Sequence, residues 1–288
     1  KSKIELGDKL EESEVNWLKE NEQENIIAIA QAKHFATLKS KYDVSDYQDK
    51  SPSSPLYAIL QKLKKAERLE PTDVAWLEEN KIKRHQSNYG YYGGREEGYK
   101  LFSGKIWNTY HKIEAKFYEQ EYQRTGNKWN LPNASSHWRK ADQPKQALKL
   151  TENLNFDKIK GNKLKSALLT TRGGAFRDIH ELKKAEKCAL KAIEYQPSSH
   201  HPYTLMGAIC FERGQYSKGE DWFEKAIQRG ASPRDQDAEM KRVVKNAKDE
   251  NKRREVVEYL LKKDPQRYAW AKSYEKKSKK KGKGQGKR

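Results

Sequence analysis

Cysteine is scarce in this 288-residue sequence, which holds Cys188 and Cys210 alone. Neither sits in a CxxC pair or beside histidines at metal-ligand spacing, so neither a disulfide framework nor a metal site is expected, and a reducing compartment is. Long apolar runs are missing as well. No window approaches the roughly 18 uncharged apolar residues of a membrane helix, and the N-terminus lacks the apolar stretch of a signal peptide, so the expectation is a cytoplasmic chain with no membrane association. The sequence begins at Lys1 without Met, as a piece of a longer protein would, and any activity would then lie in the remainder. Apolar residues make up 34% and charged residues 35%, against roughly 45 to 50% and about 25% in an ordinary globular protein. The core must be thin. Disorder is nevertheless the wrong reading, because seven Trp, sixteen Tyr and seven Phe supply apolar area that a disordered segment lacks. A solenoid satisfies both facts, since each repeat buries only a stripe against its neighbours.

Acidic charge is the other shortage. Lys and Arg number 60 against 41 Asp and Glu, a net charge of +19, which implies attraction to phosphates or acidic partners. From Lys272 to Arg288 there are eight Lys and one Arg against Glu275 alone. This low-complexity tail, with Lys279, Lys280, Lys281, Lys283, Lys287 and Arg288, suits salt-sensitive contacts with nucleic-acid phosphates and equally suits a solubilising role. It has no aromatic after Tyr274 on which a base could stack, so little sequence selectivity is expected.

Two early segments repeat one another: Leu10-Glu-Glu-Ser-Glu-Val-Asn-Trp-Leu-Lys-Glu-Asn21 and Leu69-Glu-Pro-Thr-Asp-Val-Ala-Trp-Leu-Glu-Glu-Asn80, with seven of twelve positions identical and a spacing of 59. Pro71 suits a first helical turn, Asp73 a helix N-terminus and Asn80 a helix end, so each copy reads as a short helix, with Trp17 and Trp76 expected in the core beside Val15, Leu18, Val74 and Leu77. Helices are predicted over 26–42, 56–66 and 100–124, with a loop at Ser51-Pro-Ser-Ser-Pro55. Gln86 to Gly94 is rich in Gly and Tyr without apolar period. It marks the expected boundary, giving a helical module over 1–85, a linker over 86–99, a helical array over 100–271 and the tail over 272–288.

From Ser166 onward the pattern is positional. Taking Ser166 as the first residue, Leu169, Gly173, Phe176, Ala185, Ala192 and Pro197 stand at places four, eight, eleven, twenty, twenty-seven and thirty-two, and from His200 the places four, seven, eight, eleven, twenty, twenty-four and twenty-seven hold Tyr203, Met206, Gly207, Cys210, Gly219, Phe223 and Ala226. Small residues at places eight and twenty let paired helices approach, while larger ones fill the gaps between pairs. This spacing resembles the tetratricopeptide repeat family, built of 34-residue helix-turn-helix units. Arg172, Ala189 and Cys210 depart from the family pattern, and a degenerate preceding unit begins at Lys128, 38 residues before the next. The resemblance implies an all-α, tetratricopeptide-like helical-repeat array behind an N-terminal helical module, with helices over 234–248 and 251–262 and a last segment over 266–277 that continue and cap the stack.

In this family the groove faces places two, five, nine and twelve of the first helix. Here these are Trp129, Pro132, Ser136 and Arg139; Ala167, Thr170, Gly174 and Arg177; His201, Thr204, Ala208 and Phe211. Arg139 and Arg177 recur in register, and they either line one basic groove that clamps a carboxylate or phosphate, or pair with neighbours such as Asp178 and Glu212. The Lys and Asn pattern with which some family members grip an acidic C-terminus is not reproduced, since Thr170 and Gly174 stand there. Trp129 is expected to pack on its neighbour rather than stack on a ligand. His137 has no identifiable nucleophile or Asp partner, and His200 and His201 lack ligand geometry, so neither catalysis nor metal binding is assigned. Thr171-Arg-Gly-Gly174 lacks phosphate-loop spacing, and helix packing explains Gly173 better. The resemblance implies a non-catalytic adaptor that holds a protein partner in its groove and needs no cofactor. The alternative is a nucleic-acid-binding accessory module using the groove arginines and the Lys-rich tail.

Overall fold

The computed structural model describes residues 2–82 and 99–274, and within them the chain is an all-α helical-repeat array preceded by a helical module. The chain divides into two compact units, 1–117 with 140–142, and 118–139 with 143–288. The division falls at Phe117 and Tyr118, inside a long helix, and not at 86–99 where the Gly- and Tyr-rich composition placed it. Of that stretch, 83–98 lies outside the described residues, as do the tail residues Lys279, Lys280, Lys281, Lys283, Lys287 and Arg288.

The first unit contains α1 (Ser2–Leu6), α2 (Glu12–Glu20), α3 (Glu24–Lys41), α4 (Pro55–Lys64), α5 (Pro71–Glu79), the two-residue strands β1 (Lys81–Ile82) and β2 (Tyr99–Lys100), and the start of α6 (Gly104–Thr125). The strands pair antiparallel, Lys81 with Lys100 and Ile82 with Tyr99, so Tyr99 belongs to a ladder and not to a linker. The duplicated segments are α2 and α5. Each is stopped alike, with Asn21 Nδ2 donating to Trp17 O and Asn80 Nδ2 to Trp76 O, both at 2.7 Å. Each also starts alike: Glu11 N donates to the Glu14 carboxylate at 2.8 Å and Glu70 N to that of Asp73 at 3.0 Å, satisfying an amide that no helical carbonyl can reach. The core is a continuous apolar cluster that includes Phe35, Leu38, Leu56, Leu60, Leu77, Ile82, Leu101 and Ile106. Trp76 packs against this cluster, with Tyr47 edge-on at 6.2 Å. Trp17 does not follow its twin into the core: it is 56% exposed.

The second unit runs through α7 (Asn130–Lys140), α8 (Pro144–Lys149), a 3-10 turn at Phe156–Lys158, α9 (Asn162–Asp178), α10 (Leu182–Tyr195), α11 (His200–Glu212), α12 (Tyr216–Ile227), α13 (Pro233–Lys245) and α14 (Glu250–Lys263), and closes on a 3-10 turn at Ala269–Ala271. Consecutive helices pack as pairs, α9 with α10, α11 with α12 and α13 with α14. In the pair α9 and α10, a Cβ on Gly173 would lie 2.9 Å from the Leu205 side chain and 3.0 Å from Ala185 O and Cys188 Cβ; on Gly207, between α11 and α12, it would lie 2.9 Å from the Phe223 ring. Gly219 backs onto Gly207 O as Ala185 O backs onto Gly173, so the small residues at places eight and twenty meet within each hairpin. The 38-residue spacing from the degenerate unit has a plain cause: α8 ends early, and an irregular stretch with the 3-10 turn precedes α9.

Candidate functional site

Helices α7, α9, α11 and α13 of the second unit, the first members of successive pairs, wall a groove of about 700 Å³. Nine of the positions read from the sequence line it: Trp129, Pro132, Ser136, Arg139, Ala167, Thr170, Arg177, His201 and Thr204. Trp129 is 47% exposed at its edge, against the expectation that it packs away. Three positions do not belong. Gly174 is covered by the Arg139 guanidinium, Ala208 is buried, and Phe211 packs in the core among Tyr216, Phe223 and Tyr259. For Phe211 the reason is the place in the helix: the twelfth residue ends the first helix and is covered by the next pair, so Phe211 becomes core, while an arginine there must find charge partners.

That is what Arg177 does. Its side chain is 2% exposed, with Nε 3.1 Å from Glu212 Oε1 and Nη1 2.7 Å from Glu239 Oε2. Arg139 Nε donates to Asp178 Oδ2 at 2.7 Å, and Arg242 Nη2 donates to the same oxygen at 2.9 Å. Six ionisable side chains from four helices thus cluster beneath the groove, and of the two readings of Arg139 and Arg177, a free basic groove or pairing with neighbours such as Asp178 and Glu212, it is the pairing that the structure shows. Of the charged groups, Arg139, Lys163, Arg177, Asp235 and Glu239 line the groove itself, so its formal charge is close to balanced although the chain carries +19.

Burial would disfavour charge on every member, and the partners decide the outcome. Burial opposes the Arg177 charge, yet Glu239 and Glu212 hold it protonated more firmly than usual. Burial also opposes ionisation of Asp178, which Arg139 and Arg242 outweigh, and of Glu239, which Arg177 and Arg242 outweigh, so both carboxyls stay below the ordinary range. Glu212 is the exception. Burial pushes it up to about 7, with Asp178 and Glu239 adding to the effect against Arg177. Arg242 is drawn down to about 10 by burial and by Arg139.

Among the described residues, four buried polar atoms at the groove or beneath it, Arg177 Nη2, His200 Nδ1, Glu212 Oε2 and Glu239 Oε2, have no hydrogen-bond partner. On the walls, Thr170 Oγ1 donates to Ser166 O at 2.8 Å and Thr204 Oγ1 to His200 O at 3.1 Å. Their protons are therefore used within their own helices, and toward the groove they offer lone pairs. The site presents acceptors on its walls and an unfilled donor at its floor. His137 stands apart, its ring 5.6 Å from that of Tyr118. No group of three or more metal-ligating side chains and no helix long and apolar enough to cross a membrane occurs among the described residues.

Asp235, Ala238, Glu239 and Arg242 also belong to the groove or its floor and were not among the positions expected from the sequence. The signal was there: carrying the 34-residue register one unit further, from Arg234, puts Asp235, Ala238 and Arg242 at places two, five and nine. Comparison with known proteins returns no matching family model, no matching curated protein and no matching solved structure.

Proposed function

We propose that the second unit is a non-catalytic adaptor module of the tetratricopeptide type, which holds an extended segment of a protein partner in the groove bounded by α7, α9, α11 and α13. The observation that carries this reading is that side chains from four successive first helices converge on one groove whose charges nearly cancel. A balanced groove discriminates against a polyanion and favours a chain rich in amide N–H and C=O groups, which the Thr170 and Thr204 lone pairs and the Arg177 donor complement. The half-exposed Trp129 offers one flat apolar contact at the edge.

Thr170→Trp together with Thr204→Trp fills the groove from both walls and leaves the ionic network intact. Partners captured from lysate by the wild type should be lost to this variant, and nuclease treatment should not change the captured set. Unchanged capture by the doubly substituted protein would sink the groove assignment. The second reading, a nucleic-acid-binding accessory module, is favoured by the surplus charge of the tail, and predicts the opposite pattern: capture abolished by nuclease or by deleting 272–288, and falling steeply with salt.

A further inference from the structure

The duplication in the first unit is incomplete in what covers it. In the second copy, Arg68 is clamped by a buried acid: Nε lies 2.7 Å from Glu114 Oε1 and Nη2 2.8 Å from Glu114 Oε2, and the guanidinium carbon sits 3.7 Å over the Phe117 ring. Glu114 and Phe117 are three residues apart on α6, and so on one face. Leu69, beside Arg68, is buried.

The first copy has a cation at the equivalent place, 59 residues earlier, and nothing of the clamp. Lys9 is exposed, forms no ion pair among the described residues, and lines a cavity of about 310 Å³ whose walls include Leu10, Val15, Ile27, Ala30 and His34. Leu10, the twin of Leu69, is only partly buried and faces this space. Among the described residues, the cavity wall supplies no carboxylate for Lys9. Its buried His34 is bonded on both sides, with Nδ1 2.9 Å from Tyr57 Oη and Nε2 3.2 Å from Lys64 Nζ. Lys64 donates to this imidazole and, among the described residues, pairs with no acid, while Asp8 is the acidic neighbour close enough to act on the ring. Burial and the nearby Lys64 and Lys9 charges hold His34 neutral, with a pKa of about 4. The mouth is thus an apolar hollow beside two lysines. In the second copy the chain itself supplies the acid and the ring; in the first the segment leading into the equivalent helix carries the same kind of cation beside an open hollow.

We infer that this cavity is a docking site for a helix of a protein partner that carries a carboxylate and an aromatic ring one turn apart, repeating toward Lys9 what Glu114 and Phe117 do toward Arg68. The inference is independent of the groove in the second unit. It rests on the chain's own second copy as a template and on the match between a carboxylate and the Lys9 and Lys64 charges.

The probe is a fluorescently labelled peptide spanning residues 104–121 of this sequence, titrated into the full chain and followed by anisotropy. Saturable binding is expected. Lys9→Glu should weaken it about tenfold or more while Lys9→Arg retains it, and peptides carrying Glu114→Ala or Phe117→Ala should weaken by a similar factor. Lys9 is exposed, so the fold survives its substitution, which circular dichroism checks. Absence of saturable binding overturns the inference. So does binding that Lys9→Glu leaves unchanged, which includes the peptide displacing its own counterpart at Arg68, and so does a Glu114→Ala peptide that binds as tightly as the parent, which would make the occupant merely apolar.

Discussion

The two units bury different chemistry. In the first, large apolar side chains form one continuous cluster, and its buried acid, Glu114, is paired to an arginine that remains 45% exposed. In the second, glycines and alanines bring α9 to α10 and α11 to α12, and charge crosses from one pair to the next, with Arg177 of α9 enclosed between Glu212 of α11 and Glu239 of α13. Apolar packing tolerates many registers of similar volume, whereas a guanidinium between two carboxylates fits one. Within a hairpin small residues set how closely the helices approach, and between hairpins buried charge adds to apolar packing such as that of Phe211 and Phe223 against Met240 and Val243.

The sharpest way to break that comparison is to remove the enclosed cation. Arg177→Met leaves the largely covered Glu212 and the partly exposed Glu239 without their partner, and should cost the second unit about 2 to 3 kcal/mol in chemical denaturation. The triple variant with Glu212→Gln and Glu239→Gln should recover most of the loss, because the uncompensated charge and not the missing contact dominates. If the single and triple variants unfold alike, charge does not set the register between pairs.

A smaller effect separates the two copies inside the first unit. Trp76 packs on the apolar core beneath Tyr47, so Trp76→Ala should cost about 2 kcal/mol, whereas Trp17→Ala, at an exposed twin, should cost less than about 0.5 kcal/mol in the same assay. Equal losses would mean that α2 is covered as α5 is.

These pairs also show what was legible in the sequence. The helices, their stops at Asn21 and Asn80, and the meeting of Gly173 with Ala185 and of Gly207 with Gly219 follow from local chemistry and spacing, because one turn of helix or one 34-residue step fixes them. Nine groove positions were readable for the same reason. The pairing of Arg139 with Asp178 and of Arg177 with Glu212 was one of the two readings the sequence offered, whereas the further partners Glu239 and Arg242 were not, since they lie nearly two repeat lengths beyond Arg177 and Asp178 along the chain. Burial of Trp76 but not Trp17 was equally out of reach: seven shared positions in twelve describe the helix itself and say nothing of the Tyr47 ring that lies on one copy alone. The β1 and β2 pairing joins residues on either side of 83–98, and no apolar alternation announces a ladder only two residues long.

The least effect expected belongs to a single proton. Glu212 loses its proton at about 7 in the folded chain and near its ordinary 4.5 when unfolded, so between those values the folded state binds more protons and stability of the second unit falls as pH rises from 4.5 to 7. Asp178 and Glu239 act in the reverse sense: their lowered pKa values contribute stability that is present above the ordinary carboxylate range and is lost as pH falls through it. His201, lowered by burial and by His200, also favours the higher pH. The second unit should therefore be most stable at about pH 5, and moving to about pH 7.5 should cost at most about 2 kcal/mol, less what His201 returns. Glu212→Gln keeps the shape and removes the titration, so its stability should no longer fall over that interval and should tilt slightly upward with His201. Denaturation midpoints at about pH 5 and about pH 7.5 for both proteins decide the matter, and a decline that survives Glu212→Gln would place the titrating group outside the network that joins the helix pairs.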